Sequence, residues 1–235
     1  MAETETKILM KGVRKAFGPK VILDDFNLDI KTGESMVVIG GSGVGKSVML
    51  KCLLGVLTPE SGAITIDGDN VVGIGTSERD RVNAKLGMLF QGAALFDSQT
   101  VWENVAFGLT ARKVPREEAR EIAMQKIAMV GLKPEIAETF PSELSGGMKK
   151  RVGLARALCS NPDILLMDEA FSALDPLIRR QMQDELMAIQ SKLHKTILFI
   201  THDLNEALRI GNRVCILRDG KVIQIGPPEE ILTQP

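Results

Sequence analysis

The stretch "SMVVIGGSGVGKSVMLKCLLGVL", Ser35 to Leu57, constrains this chain most. A short apolar strand runs straight into a glycine-rich turn, and helix formers follow at once. A strand with no polar face is buried on both sides, which asks for parallel neighbours and helical covers. The residues "GGSGVGKS", Gly40–Ser47, match the spacing G-x-x-x-x-G-K-[ST] in the strand–loop–helix setting that spacing needs. Glycines at Gly40, Gly41, Gly43 and Gly45 let backbone N–H groups wrap phosphates, with Ser42, Val44 and Val48 beside them. Lys46 is placed to meet the β- and γ-phosphates, and the Ser47 hydroxyl to ligate Mg²⁺.

Around this unit the pattern alternates between strand and helix signals. "KILMKGVRKAFGPKVILDDFNLDI" reads as two strands turning at Gly18-Pro19. "GAITIDG" and "LGMLFQ" read as strands, with a polar loop around Gly73 to Ser77 between them. From about Gly92 to Ser160 the signals are mostly helical. "PREEAREIAMQKIAMVGL" puts Ala119, Ile122, Ala123, Ile127 and Val130 on one face, starts at Pro115 and stops at Gly131. After it come the strand "DILLMDE", an amphipathic helix carrying Met182, Leu186, Ile189 and Leu193, the strand "TILFITH", a helix "LNEALRIG", and a hairpin turning at Asp219-Gly220. The expected fold is α/β, a mainly parallel sheet with antiparallel N-terminal strands and a helical insert. We expect one domain over 1–235, with a core lobe of about 1–91 and 161–235 and a helical lobe of about 92–160.

Several polar residues sit where a sheet of this kind collects chemistry, at the carboxyl ends of strands. "ILLMDE" ends a buried strand on two acids, an expensive placement unless they serve a cation or a proton transfer. Asp168 suits a Mg²⁺-organising acid and Glu169 a general base for water. His202 closes "ILFIT", and Gln91 ends "GMLF", where it can orient water or ligate Mg²⁺. In "ELSGGMKKRVGLARAL" two glycines stand before a run of helix formers. Gly inside a helix costs roughly 1 kcal/mol against Ala, so Gly146 and Gly147 ask for a close approach, and a helix start suits an anion.

Composition bounds the rest. With 44% hydrophobic and 25% charged residues over 235 positions, there is chain enough for a core. A net charge of -1 argues against a nucleic-acid partner. Cys52, Cys159 and Cys215 have no metal or disulfide spacing, which fits a reducing cytoplasm. The opening "MAETETKILM" is acidic and polar, unlike a secretory signal. No apolar run approaches the roughly 18 residues that span a bilayer, so membrane work would need another chain.

The order Gly40–Ser47, Gln91, Leu144–Met148, Asp168–Glu169, "SALD" and His202 resembles that of ATP-binding cassette (ABC) ATPases, over nearly the whole chain. The resemblance implies ATP and Mg²⁺, the ion held by Ser47, Gln91 and Asp168, with Lys46, Gln91, Glu169 and His202 as the catalytic set. It implies a head-to-tail homodimer on ATP binding, in which Leu144, Ser145, Gly146, Gly147 and Met148 of one subunit cover the ATP of the other. Asp175 would communicate between the two sites, and Phe17 would stack on adenine, with a core role as its alternative. Transmembrane permease subunits are implied as partners, with room for an accessory regulatory protein, and the location is cytoplasmic, on the inner face of the cell membrane. Met148 and Ala170 depart from the commonest family residues, Gln and Pro, without removing a catalytic group.

Within that family the first half resembles Mla-type lipid-transport ATPases through "VVIGGSGVGKSVMLKCLLG" and "GMLFQGAALFDSQTVWENVAFGL". The second half resembles glycine betaine/proline transporter ATPases through "DILLMDEAFSALDPLIRRQMQDELMAIQ" and the segment from "ITHDLNEAL" onward. The expectation is Mla-type phospholipid transport by a chimera with a seam between about Ser145 and Asn161. One divergent lineage, osmoprotectant uptake, and an engineered chain with no transport role are the alternatives. Ending at Pro235, the chain is expected to lack the regulatory region of osmoprotectant ATPases. Phe96, Val101, Trp102 and Val105 are the expected apolar surface for a permease, with the core of the helical lobe as the alternative.

Overall fold

Apolar and polar residues alternate from Thr6 to Lys31, and in the computed structural model they form a long antiparallel pair. Residues 5–233 are described, so the ends of the N-terminal stretch and of the chain, read above from sequence, lie outside them. The first elements are β1 (Thr6–Phe17), β2 (Lys20–Lys31), β3 (Ser35–Ile39), α1 (Lys46–Leu53), β4 (Ser61–Ile66), β5 (Asp69–Asn70) and α2 (Thr76–Ala84). Then follow β6 (Leu86–Leu89), α3 (Val101–Ala111), α4 (Arg116–Met129), α5 (Gly146–Cys159), β7 (Ile164–Asp168) and α6 (Pro176–Leu193). The last are β8 (Thr196–Thr201), α7 (Leu204–Ile210), β9 (Arg213–Arg218), β10 (Lys221–Gly226) and α8 (Pro228–Thr233). The chain condenses into two compact units, one running to Ala84 and resuming at His194, the other spanning Lys85–Leu193.

In the first unit β2, β1, β4 and β5 form an antiparallel sheet in that order. The inward residues Ile8, Met10, Val13, Leu23, Phe26 and Ile30 are buried, as the alternation requires. A second set of strands runs β10, β9, β3, β8, with β3 parallel to both β8 and β9. Met36, Val37 and Val38 are fully buried, the signature of a strand covered on both faces. The predicted turns are present: Gly18 has φ 57, and Asp219 and Gly220 have φ 50 and 75. The polar loop is present over Gly73 to Gly75, and at Thr76 it passes into helix α2, an element the sequence pattern does not predict. None of its residues is buried, so it has no apolar stripe to reveal it. It is tied down by Arg79, which donates to Leu53 O at 3.2 Å and also to Val71 O.

In the second unit β6 pairs in parallel with β7. Helix α5 lies close on β6. A Cβ on Gly87 would run into Ala157 O, and one on Gly153 would stand 2.7 Å from Leu89 Cδ1. Helix α4 buries Ala119, Ala123 and Ile127 as its spacing predicts, and stops where Gly131 takes φ 70. Asn104, fully buried on α3, staples the segment before it: its amide donates to Phe96 O and Gln99 O, both at 3.0 Å, and its Oδ1 accepts from Phe96 N at 2.7 Å.

All three cysteines are buried, and burial pushes their thiols up, to about 11 for Cys52 and Cys159 and about 12 for Cys215. They are protonated, poorly nucleophilic side chains at neutral pH. Among the described residues no helix is long and apolar enough to cross a membrane.

Candidate active site

In the first unit the glycine-rich loop is shaped by two close approaches. A Cβ on Gly40 would stand 2.5 Å from Leu217 O, and one on Gly45, at φ 113, would stand 2.9 Å from Leu23 Cδ2. Gly43 has φ 78 and open space where a Cβ would be. These glycines therefore do different work: Gly40 seats the loop on β9, Gly45 seats it on β2 of the antiparallel sheet, and Gly43 sets its curve. Gly41, Ser42, Gly43 and Ser47 are exposed, Val44 and Val48 are half-buried, and Lys46 is buried. The Lys46 ammonium donates to Gly40 O at 2.6 Å and Gly41 O at 2.7 Å, which folds it back over the loop. Helix α1 starts with no side-chain cap and no acid in its first turn. Uncapped N–H groups beside a cation fit a polyphosphate.

His202 is exposed directly after β8. Its neighbours are fixed on both sides. The buried Thr201 hydroxyl lies 2.5 Å from Glu206 Oε2, and Asp203 caps α7 by accepting from Asn205 N at 2.8 Å. Phe17 closes β1 with 49% exposure, which removes its alternative as a core residue; the Lys15 ammonium lies 5.4 Å from its ring centre.

In the second unit Asp168 is the last residue of β7, and Glu169 follows with φ 45. A left-handed backbone costs a non-glycine residue of order 1–3 kcal/mol and persists where surroundings enforce it. Here Ser172 enforces it, donating to Glu169 O from its N–H at 3.0 Å and its hydroxyl at 2.7 Å. Gln91 lies two residues beyond β6, exposed, and its Nε2 donates to Glu169 Oε2 at 3.3 Å.

Leu144 is buried and anchors the start of α5; Ser145 caps it, its hydroxyl accepting from Met148 N at 3.3 Å. Gly146 is exposed and open, whereas a Cβ on Gly147 would stand 2.9 Å from Ile178 Cγ2. The close approach at Gly147 is thus made by this chain's own α6, and only Gly146 is free of such a neighbour. Asp175 has a local task, its Oδ1 accepting from Leu177 N at 3.0 Å and Ile178 N at 3.1 Å at the start of α6. Val101, Trp102 and Val105 are buried on the inward face of α3; Phe96, whose ring centre lies 4.6 Å from that of Phe107 at a tilt of 39°, is exposed. The Thr201–Glu206 contact beside His202 is not legible in the sequence, since a buried polar contact leaves no spacing there.

The family model for ABC transporters matches residues 23–172. The chain belongs to the ABC transporter family. It carries that family's ATP-binding, ATP-hydrolysing cassette. Among solved structures it is similar to cbiO1 from Clostridium perfringens, part of the ABC transporter complex cbiONQ. The TM-score is 0.89 at 28% identity, covering 98% of this chain and 92% of that one. It is also similar to the ATP-binding cassette MJ0796, a dimer in a post-hydrolysis state bound to ADP and Pi, with TM-score 0.84 at 33% identity, covering 94% and 98%.

Among curated relatives this ABC cassette is 50% identical, over 90% of its length, to the glycine betaine/proline betaine transport ATP-binding protein ProV of Escherichia coli. It is 46% identical, over 100%, to the glycine betaine transport ATP-binding protein OpuAA of Bacillus subtilis. It is 41% identical, over 97%, to the spermidine/putrescine import ATP-binding protein PotA of Haemophilus influenzae. The chain spans about half the length of the first two, 53% and 56%.

These relatives do not support the Mla-type reading or the seam. Their matches run across both halves at 212 and 236 residues, through the segment from Ser145 to Asn161. The segments that carried the lipid-transport resemblance lie within the region shared with ABC transporters in general, and a shared fold does not discriminate cargo.

Proposed function

We propose that this chain powers an ABC importer of a quaternary-ammonium osmoprotectant of the glycine betaine class. The observation that carries the hydrolytic part is Glu169, set in a left-handed backbone at the exit of β7 with the Gln91 amide on its carboxylate. A carboxylate oriented in this way can take the proton of an attacking water. Lys46 would neutralise charge on the β- and γ-phosphates, and His202 and Gln91 would orient the reacting groups. Mg²⁺, when bound, offsets phosphate charge; Ser47, Asp168 and Gln91 are the proposed ligands. The cargo class rests on the betaine ATPases above, at 46–50% identity over 90% or more of this chain.

The proposed assembly is a head-to-tail dimer closed on two ATP, with Ser145, Gly146 and Met148 facing the partner's nucleotide and Asp175 at the dimer contact. Phe17, with its exposed ring, is the proposed adenine platform. The segment of about 92–160 is proposed as the helical lobe that receives a permease, which would hold the protein on the inner face of the membrane. The test is a parallel pull-down with a betaine-type and an Mla-type permease, with ATPase stimulation as second readout. Selective association with the betaine-type permease is expected; selective association with the lipid permease would overturn the cargo reading.

A further inference from the structure

The exposed residue Gln91 sits on a segment with an unusual backbone. Ala93 and Ala94 both take left-handed conformations, φ 61 and 48, although neither is glycine. Such conformations hold only where something outside the segment fixes them. Helix α5 supplies that fixation with two cations. The Lys150 ammonium donates to Gln91 O. One turn and a half further on, Arg156 donates to Ala93 O at 2.5 Å and to Ala94 O at 2.7 Å. Ala93 itself is fully buried, and a Cβ on Gly153 would stand 3.2 Å from Ala93 Cβ, so the segment lies directly on α5.

Lys150 has 6% exposure, and burial lowers the pKa of its ammonium. A buried ammonium costs several kcal/mol unless it is hydrogen-bonded, so its carbonyl partner is strongly specified. That carbonyl belongs to the residue whose amide reaches Glu169 at 3.3 Å. The same helix begins at Gly146, beside the cap residue Ser145. A rigid helix therefore joins the start of α5 to the backbone of Gln91 by way of Lys150.

We infer that Lys150 is a positioning residue, which with Arg156 holds the Gln91 backbone so that the Gln91 amide meets the Glu169 carboxylate. The inference rests on the hydrolytic reading of Glu169. Lys150 touches no reacting atom; it acts through Gln91. A misplacement of about 1 Å in such a group can cost around 10²-fold in rate.

The test is a double-mutant cycle in the full chain with Lys150→Met and Gln91→Ala, reading kcat and KM for ATP and the affinity for a fluorescent ATP analogue. Lys150→Met should lower kcat about 10-fold or more, with KM and analogue affinity within about 2-fold of the parent. On the Gln91→Ala background the same substitution should change kcat less than about 2-fold, because the group it positions is gone. Lys150→Arg, which keeps a charged donor, should recover most of the parent kcat. Multiplying effects of the two substitutions, or a Lys150→Met kcat equal to the parent's, would overturn the inference. If Lys150→Met does not fold, Lys150→Gln carries the same cycle with the same criteria. A parent chain without ATP turnover would sink the hydrolytic reading instead, and is separated from the inference because the cycle compares variants with an active parent.

Discussion

The Gln91 amide nitrogen stands 3.3 Å from a carboxylate oxygen of Glu169, and the two residues are 78 positions apart in the chain. One follows β6 and the other follows β7, strands that pair in parallel in register Leu86 with Ile164. The pairing brings both strand exits to one edge, where a neutral donor meets the acid proposed to activate water. The amide orients the carboxylate without removing its charge, which is what a base needs before the proton moves.

Lys46 provides the first prediction. Its ammonium is held by two loop carbonyls, at 2.6 and 2.7 Å, beside the loop proposed to hold the phosphates. Lys46→Ala removes that charge, so both ATP affinity and turnover should fall, affinity by about 10-fold or more. Calorimetry with ATP checks it; unchanged affinity would remove Lys46 from the site.

The start of α5 provides the second. Gly146 is open, whereas Gly147 is already crowded by Ile178, so Gly146 is the cleaner position for a charge. Gly146→Asp places a carboxylate in the first turn of a helix that has no acid there. The helix dipole should accept it, leaving the melting temperature equal or higher. Facing a partner's phosphate, the same charge is repelled. Sedimentation should show a folded monomer that no longer dimerises with ATP; a variant that still dimerises would contradict the sandwich.

A third prediction concerns acid stability. Arg213 lies 3.1 Å from Asp29 and 3.3 Å from Glu34, and its hydrogen bond is the main cause holding the Asp29 carboxyl below its ordinary value of 3.8. With a lowered folded value, the stabilisation is complete above the unfolded pKa of about 4 and is lost as pH falls through the folded one. Asp29→Asn should therefore melt below the parent at pH 7, and the gap should close below about pH 4. A gap independent of pH would assign the effect to packing.

Much of this was legible because its causes are local. The run Ser35–Ile39, the loop to Ser47 and the helix from Lys46 follow from apolar continuity, glycine spacing and helix propensity. What escaped has causes at long range. Helix α2 carries no apolar stripe and depends on Arg79 reaching Leu53 O and Val71 O. Trp102 reads from sequence as either permease surface or lobe core; it is 3% exposed, because one face of α3 packs inward while Phe96 and Phe107 lie outside with their rings tilted against each other. The crowding of Gly147, where a Cβ would stand 2.9 Å from Ile178 Cγ2, comes from a residue 31 positions away. Lys150 sat among charges that a sequence cannot distinguish from a solvated face, and its partner is a backbone carbonyl 59 positions away. The lipid-transport resemblance is not supported for a different reason: it was carried by segments within the stretch that matches ABC transporters in general.

Steady-state ATP hydrolysis by Glu169→Gln, read beside its ATP-driven dimerisation, tests the central claim most directly. The substitution keeps the shape of the side chain and removes the base. Turnover should fall by about 10²–10⁴, the usual contribution of a general base, while ATP binding persists and the dimer stays closed. Hydrolysis at the parent rate would contradict the account, because the water would then be activated by some group other than Glu169.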